Sequence, residues 1–194
     1  MNILLTGGAG YIGSHTAVVL STAGNKVVLL DNLSNSNADA VRYLENILQS
    51  PITFIQADVR DTGKLNQVLV GHQIDAVIHF AGLKAVGESV AKPVEYYANN
   101  IQGTISLLQT MSSTNIKKLV FSSSATVYGD PQYLPIDEEH PLKTTNPYGR
   151  SKLHIEEILS DVARSDKDWR INCSKFWPWR STYDAVLSKS CPVL

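Results

Sequence analysis

Three polar side chains in the second half of the sequence have the types and the spacing of a proton-transfer site: Ser124, Tyr148 and Lys152. Tyr148 and Lys152 are four residues apart in a helical pattern and therefore share one face of the helix. Ser124 follows an apolar strand pattern and can place its hydroxyl in the same crevice. Apolar residues continue the helix face of the pair, so the pair is predicted to point toward a sheet and its ligand: Ile155, Leu159 and Val162.

The chemistry expected of this set is the removal of a proton from a sugar or alcohol hydroxyl. A tyrosine with its ordinary pKa of ~10 is a poor base at neutral pH. A positive charge ~4 Å away is worth about 4 kcal/mol at an effective dielectric constant of ~20, so Lys152 could lower the pKa of Tyr148 by up to about three pH units. Ser124 would align the hydroxyl or shuttle its proton. The spacing alone leaves open a packed tyrosine beside an exposed lysine.

A second motif lies at the start of the chain, where an apolar run at residues 3–5 leads into three spaced glycines, Gly7, Gly10 and Gly13. Such glycines allow a tight turn, a close approach of pyrophosphate to the backbone and close packing of a helix on the strand. About 20 residues later an apolar run ends in Asp31, where a carboxylate suits the ribose hydroxyls of a dinucleotide. Because no Arg follows Asp31 closely, NAD is favoured over NADP. The alternative is a structural glycine turn.

The elements that must position these residues alternate between strand and helix. The sequence pattern predicts strands near 3–5, 26–31, 52–57, 74–80 and 118–122, and helices near 11–23, 38–49, 62–71, 94–113 and 148–163. This alternation predicts a doubly wound parallel α/β sheet of the Rossmann type. Polar or small residues are predicted at the carboxyl ends of four strands, the edge where such sheets bind ligands: Asp31, Asp58, Gly82 and Ser122 to Ser124.

Composition bounds the remaining possibilities. The 194 residues are 43% hydrophobic with a net charge of −1, which predicts one globular domain without a basic surface for nucleic acid. No apolar stretch approaches the ~20 residues that cross a bilayer, so no membrane partner is expected. The spacing of Cys173 and Cys191 fits neither a disulfide nor a metal site, which favours the cytoplasm. The five histidines show no ligand spacing, and His79 is predicted to be structural.

Four stretches carry a resemblance to a known family: TGGAGYIGSH at 6–15, HFAGLKAVGES at 79–89, FSSSATVYG at 121–129 and NPYGRSK at 146–152. They resemble the extended short-chain dehydrogenase/reductase superfamily and, more narrowly, its UDP-glucose 4-epimerase family. The resemblance covers residues 1 to 171. It implies an isomerase of galactose metabolism that acts on a UDP-hexose through a transient 4-keto sugar, with NAD bound throughout.

The resemblance also implies roles for particular residues. Ser124, Tyr148 and Lys152 would be catalytic, and Lys84, Ser124 and Tyr148 would contact the substrate. The expected cofactor positions run along the chain: Gly7, Gly10, Tyr11, Ile12 and Gly13 at the pyrophosphate, Asp31, Asn32, Asn35 and Ser36 around the adenosine ribose, Asp58 and Val59 at the adenine, and Phe80, Ala81, Gly82, Lys84, Asn99, Ser122, Tyr148 and Lys152 along the rest of the site. The family usually forms homodimers through the two long helices near 94–113 and 148–163.

The sequence departs from the family after residue 171. A buried strand and an Asn-Pro-Val-Gly motif are expected there, and residues 172–194 instead predict an aberrant tail without a fold of its own. The substrate domain is therefore expected to be missing and the activity impaired. Two alternatives stay open: an inactive NAD-binding fragment, and another nucleotide-sugar enzyme such as a 4,6-dehydratase. Ala125 and Thr126 argue against the dehydratase, because that elimination usually needs Asp-Glu at these positions.

Overall fold

Apolar side chains occupy both faces of the central strands, as expected for a parallel sheet that is covered on both sides. The computed structural model describes residues 1–175, and in it six parallel strands are ordered β3-β2-β1-β4-β5-β6. The strands are β1 (Asn2–Thr6), β2 (Lys26–Asp31), β3 (Thr53–Gln56), β4 (Ala76–His79), β5 (Lys118–Ser122) and β6 (Arg170–Ser174). The order reverses beside β1, between β2 and β4, and this is where a doubly wound sheet opens its ligand crevice.

Residues 1–175 form six α-helices, which are α1 (Tyr11–Thr22), α2 (Asp39–Leu48), α3 (Thr62–Gly71), α4 (Val86–Ala91), α5 (Pro93–Ser113) and α6 (Pro147–Ser165). Five of them cover the two faces of the sheet, while α4 packs on α5 and α6. One face packs against α1 and α2, through side chains such as Leu20 and Leu44. The other packs against α3, α5 and α6, through Leu69, Leu107 and Leu159. The predicted fold class is confirmed.

The start of α6 is specified by its own sequence. Pro147 occupies the first turn, where its missing amide hydrogen costs nothing. Asn146 caps the helix, and its Oδ1 accepts a hydrogen bond of 2.8 Å from the Gly149 amide. Ile155 and Leu159 are buried along the face predicted from the sequence. The cap therefore fixes the turn that carries Tyr148, while the buried face fixes the rotation of the helix.

Two features differ from the sequence expectations. The short helix α4 was not predicted, because six residues are too few to give a helical period. β6 pairs with β5 as far as Ser174, so the predicted boundary after residue 171 falls inside a strand. The parallel pairing accepts Asn172 and Cys173 because this strand lies at the edge of the sheet. The rest of the predicted tail, 176–194, lies outside the described residues.

Candidate functional site

A cavity of about 560 Å³ opens beyond the carboxyl ends of the strands. Every residue predicted as catalytic, cofactor-binding or substrate-binding lines it, which places the two sequence motifs on opposite walls of one crevice. Their individual roles stay predictions. Eight further residues line the same cavity and were given no binding or catalytic role from the sequence: Leu30, Ser34, Ala57, Leu83, Ser123, Ala125, Ser174 and Lys175.

The turn between β1 and α1 leaves no room for a Cβ at several glycines, and two of them, Gly7 and Gly13, belong to the predicted motif. Gly7 has a φ of +69°, and a Cβ added to it would lie 2.6 Å from the backbone nitrogen of Ala81. A Cβ on Gly13 would overlap the carbonyl oxygen of Gly7 and lie 2.8 Å from the Cα of Gly8. The bare backbone and the start of α1 thus form a cradle that a pyrophosphate can approach closely.

Asp31 closes this half of the cavity from the end of β2. Its Oδ2 accepts a hydrogen bond of 3.1 Å from the Ala9 amide. Its Oδ1 accepts bonds of 2.9 Å from the Leu33 amide and the Ser36 hydroxyl. The carboxylate thereby ties the glycine turn to the loop after β2, and its remaining lone pairs can still accept from a ribose hydroxyl.

Asp58, after β3, is held by its neighbours at the same edge. The Arg60 guanidinium donates two hydrogen bonds of 2.8 Å to its carboxylate, and Asn32 donates one of 3.0 Å. The bonds from Arg60 hold the pKa of Asp58 well below its ordinary range. A fixed, charged loop therefore lies where the adenine was predicted to bind.

The opposite wall holds the predicted catalytic hydroxyls. Ser124 Oγ caps a 3₁₀ turn at Ala125–Val127, accepting hydrogen bonds from the amide and the hydroxyl of Thr126 at 3.2 and 2.9 Å. Burial raises the pKa of Tyr148, while its hydrogen bond with Ser124 works in the opposite direction. Ser124 and Tyr148 are thus in contact, as a proton relay requires.

Lys152 lies behind this pair and differs in one respect from its predicted role. Its Nζ donates a 2.7 Å hydrogen bond to the carbonyl of Ser122 and lies 4.6 Å from the centre of the Phe121 ring. Burial lowers the pKa of Lys152 to about 8. Lys152 was expected to lower the pKa of Tyr148, and yet burial raises the tyrosine pKa in the structure. The ammonium group is engaged by the backbone of β5.

Asn100 is a positioning residue that sequence reasoning missed. Its side chain is buried, and its Oδ1 accepts a 2.8 Å bond from the Leu83 amide. Its Nδ2 donates to the Leu83 carbonyl at 3.0 Å and to the Ser151 hydroxyl at 3.1 Å. Asn100 therefore joins the loop after β4 to α6. The sequence signal that could have indicated this role is a polar residue, Asn100, on the face of α5 where the helical pattern places core side chains.

His79 is structural, as predicted. Its Nε2 lies 3.1 Å from the Thr104 hydroxyl, which itself donates to the carbonyl of Asn100 at 2.8 Å. Because the Thr104 hydroxyl hydrogen is used in that bond, the Thr104 oxygen accepts a hydrogen bond from the Nε2–H of His79. The Nδ1 atom of His79 then accepts a hydrogen bond of 2.6 Å from the Thr6 hydroxyl. Burial lowers the pKa of His79 to about 3, so the ring is neutral at physiological pH.

Residues 1–175 lack two features that would point to other kinds of site. No helix there combines the length and the apolar character needed to cross a membrane. No group of three or more His, Cys, Asp or Glu side chains in this part of the chain is arranged to hold a metal ion.

Comparison with known proteins gives the family. Residues 4–177 match the family model described as GDP-mannose 4,6 dehydratase. The UDP-glucose 4-epimerase of Bacillus subtilis is 51% identical over 177 residues, which are 91% of this chain and 52% of the relative. The UDP-glucose 4-epimerase of Dictyostelium discoideum is 53% identical over 171 residues, 88% of this chain and 49% of the relative.

A solved structure of similar fold is the UDP-glucose 4-epimerase of Bifidobacterium longum in complex with NAD+ and UDP. The TM-score is 0.89 at 50% identity, over 90% of this chain and 52% of that one. The chain thus spans about half the length of the relatives it matches. Since the family model covers most of its residues, the chain belongs to the GDP-mannose 4,6 dehydratase family and is similar, within it, to UDP-glucose 4-epimerases.

Proposed function

We propose that this chain supplies the NAD-binding and proton-transfer half of an enzyme that interconverts UDP-glucose and UDP-galactose at C4. The observation that carries the proposal is that one cavity joins the glycine cradle at Gly7 and Gly13 to Ser124, Tyr148 and Lys152. A dinucleotide lying along the crevice would have its pyrophosphate at the first wall and its reactive end at the second.

The first wall suits NAD by shape and by charge. Crowding around Gly7 and Gly13 leaves the backbone bare for a pyrophosphate, and α1 begins directly behind it. Asp31 would accept from the ribose hydroxyls and would repel the extra phosphate of NADP. Bound NAD would supply the hydride acceptor and donor at C4, so that a 4-keto sugar forms and is then reduced from its other face.

The second wall suits removal of the proton from the 4-hydroxyl. Tyr148 would take that proton, and the hydroxyl of Ser124 would align the sugar oxygen or pass the proton on. Burial favours the protonated phenol in the structure, so Tyr148 becomes a base only when positive charge is brought close to it. Lys152 can supply part of that charge, because its ammonium group is buried within the same cavity.

A dehydratase is the second enzyme class to weigh, since it gives the family model its description. Elimination of water needs an acid and a base beside the catalytic hydroxyl. The turn after Ser124 places Ala125 and Thr126 there, and Thr126 donates its hydroxyl proton to Ser124. The turn holds no ionisable group that could perform the elimination, so epimerisation is the better supported reaction.

Two further parts of the proposal concern assembly and location. Val94 and Ile105 on α5 are exposed, in keeping with a homodimer through α5 and α6. The cytoplasmic location predicted from the cysteine spacing stays a prediction.

The reaction also requires the sugar nucleotide to be held with its C4 at the reactive end, and such positioning accounts for roughly 7–11 kcal/mol of barrier reduction. We therefore propose that the 194 residues by themselves bind NAD weakly and epimerise slowly.

The experiment has two arms. The 194-residue chain is titrated with NAD and with NADP, beside Asp31→Ala. A chimera, in which residues 1–177 are joined to the part of the Bacillus subtilis relative that this chain does not match, is assayed for conversion of UDP-galactose. We expect preference for NAD in the chain, loss of that preference in Asp31→Ala, and turnover in the chimera. Equal affinity for both cofactors would contradict the role of Asp31. A folded chimera that binds NAD and UDP-galactose without converting it would contradict the reaction.

A further inference from the structure

A buried acidic side chain on α6 has no part in the proposed reaction as stated so far. Glu156 is 8% exposed and lies one helical turn after Lys152, on the same face. The hydroxyl of Ser123 donates a hydrogen bond to its Oε1. The ammonium group of Lys175, which follows β6, lies 3.4 Å from its Oε2. Three segments distant in sequence thus meet at one carboxylate directly behind the catalytic lysine.

A carboxylate this deeply buried is costly unless it is paired. The side chain of Lys175 is 14% exposed, so both members of the ion pair are largely removed from water. Lys175 also lies 4.9 Å over the Tyr128 ring, which fixes it against the β5–α6 connection. The cluster is therefore a largely buried ion pair and not a pair of surface side chains.

Lys152 is the third charge at this place, and it is 5% exposed. Burial disfavours its ammonium form, while the negative charge of Glu156 favours that form, as would a thiolate at Cys173. The charge of Lys152 interacts with titratable groups from three elements: Glu156 on α6, Cys173 on β6 and His79 on β4. Tyr148 shares the helix face of Lys152, one turn before it. His79 is neutral at physiological pH, and a tyrosine or cysteine is ordinarily neutral there as well. Glu156 therefore supplies the standing negative charge beside Lys152 among the described residues.

We propose that Glu156 is a positioning residue that keeps Lys152 in its charged form behind the proton-transfer pair, and that Lys175 weakens this effect by sharing the same carboxylate. Ser123 holds the carboxylate in place, because its hydroxyl donates to the oxygen not facing Lys175. The catalytic consequence rests on the proposed function, whereas the effect on Lys152 itself does not.

The test follows the ionisation of Lys152 in the full 194-residue chain without any ligand. Lysine Cε is labelled with carbon-13, the signal of Lys152 is identified by its loss in Lys152→Arg, and the pH is raised from about 6 to about 11. Glu156→Gln removes the charge and keeps the shape. Glu157→Gln makes the same change at the next residue of α6, which is exposed.

We expect the titration midpoint of Lys152 to fall by about one pH unit or more in Glu156→Gln and to stay unchanged in Glu157→Gln. Lys175→Gln should move the midpoint upward, because the carboxylate then serves Lys152 alone. A merely loosened site would let water reach Lys152 and raise the midpoint in both Glu156→Gln and Lys175→Gln, so opposite signs identify the electrostatic role. If Glu156→Gln does not fold, Lys175→Gln still tests the proposal, since an unchanged or lowered midpoint of Lys152 there overturns it.

A second readout joins this inference to the reaction. In the chimera, Glu156→Gln should move the alkaline limb of the rate profile to lower pH and lower kcat at neutral pH with little change in KM. Glu156→Asp should restore part of the wild-type profile. If the chimera shows no turnover, the proposed function is contradicted. The effect of Glu156 on Lys152 is then still judged by the titration midpoint of Lys152. An unshifted Lys152 midpoint in a folded Glu156→Gln chain overturns the role of Glu156.

Discussion

The two walls of the cavity are built by different means. The wall at β1, α1 and β2 is made of backbone, with Gly7 and Gly13 leaving no room for a Cβ and Asp31 tying the turn to its neighbour. The wall at β5, α6 and β6 is made of side chains, with Tyr148 and Lys152 presented by one helix. The first wall works by shape and the second by charge, so the two should fail differently when they are altered.

The difference also explains how each wall is encoded. A backbone cradle needs glycines at fixed spacing within one short segment, and such a motif is local in sequence. The buried charges behind Lys152 come from Ser123, Glu156 and Lys175, which only the fold brings together. One local change should therefore disable the first wall, whereas the second should respond in graded steps.

The largest effect is expected from Tyr148→Phe in the chimera. Removal of a general base lowers kcat by roughly 10²–10⁴-fold, while NAD affinity stays close to that of the parent, because the backbone wall is unaltered. Steady-state rates and NAD titrations of the two proteins measure this. Tyr43→Phe, at a tyrosine 58% exposed on α2, is the matched control. Near-normal turnover of Tyr148→Phe would mean that another group takes the proton.

Gly13→Ala should disable the first wall. The added Cβ would overlap the Gly7 carbonyl, and forcing it in should cost about 1–3 kcal/mol of unfolding free energy together with most of the NAD affinity. Urea unfolding and NAD titration measure both. Gly71→Ala is the control, because a Cβ there meets no atom within 4 Å and should leave NAD binding unchanged. If Gly13→Ala binds NAD like wild type, the cradle does not hold the pyrophosphate.

The sequence predicted the elements with a strong period and the residues with a local motif. α5 and β5 were predicted to within one residue at each end, since long apolar stripes and short apolar runs determine them. The direction of the Tyr148 pKa could not be predicted, because burial is a property of the assembled walls. The roles of Asn100 and Glu156 were not predicted for a related reason, because both are polar residues whose partners lie far away in the chain.

His79 lies on β4, between the two walls, and makes the stability of the folded chain depend on pH. Its pKa is about 3 in the folded chain and near its ordinary 6.5 when unfolded, so the unfolded state binds more protons between these values. Stability should therefore fall as the pH drops below 6.5, by up to about 1.4 kcal/mol per pH unit. This sign is opposite to that of a histidine gaining an acidic partner.

The measurement is urea unfolding of wild type and His79→Gln between about pH 7 and about pH 5, where most carboxylates are still charged. His79→Gln should be less stable at neutral pH and should show a flatter dependence on pH. His154→Gln, at an exposed histidine of α6, should keep the wild-type slope. Parallel slopes for wild type and His79→Gln would show that the buried ring is not the group responsible.

The smallest expected effect concerns the cap that positions Tyr148. Asn146→Ala removes the acceptor of the Gly149 amide and should cost about 1 kcal/mol of unfolding free energy. Asp61→Ala is a matched change at α3, where Asp61 caps the helix by accepting from the Lys64 amide at 2.9 Å. Both variants should lose similar stability, and yet only Asn146→Ala should lower kcat of the chimera, because its frayed turn carries Tyr148. Asn146→Asp should restore most of both losses. Equal kcat for the two alanine variants would mean that core packing of Ile155 and Leu159 fixes the helix rotation by itself, and that the charged wall tolerates loss of its first turn.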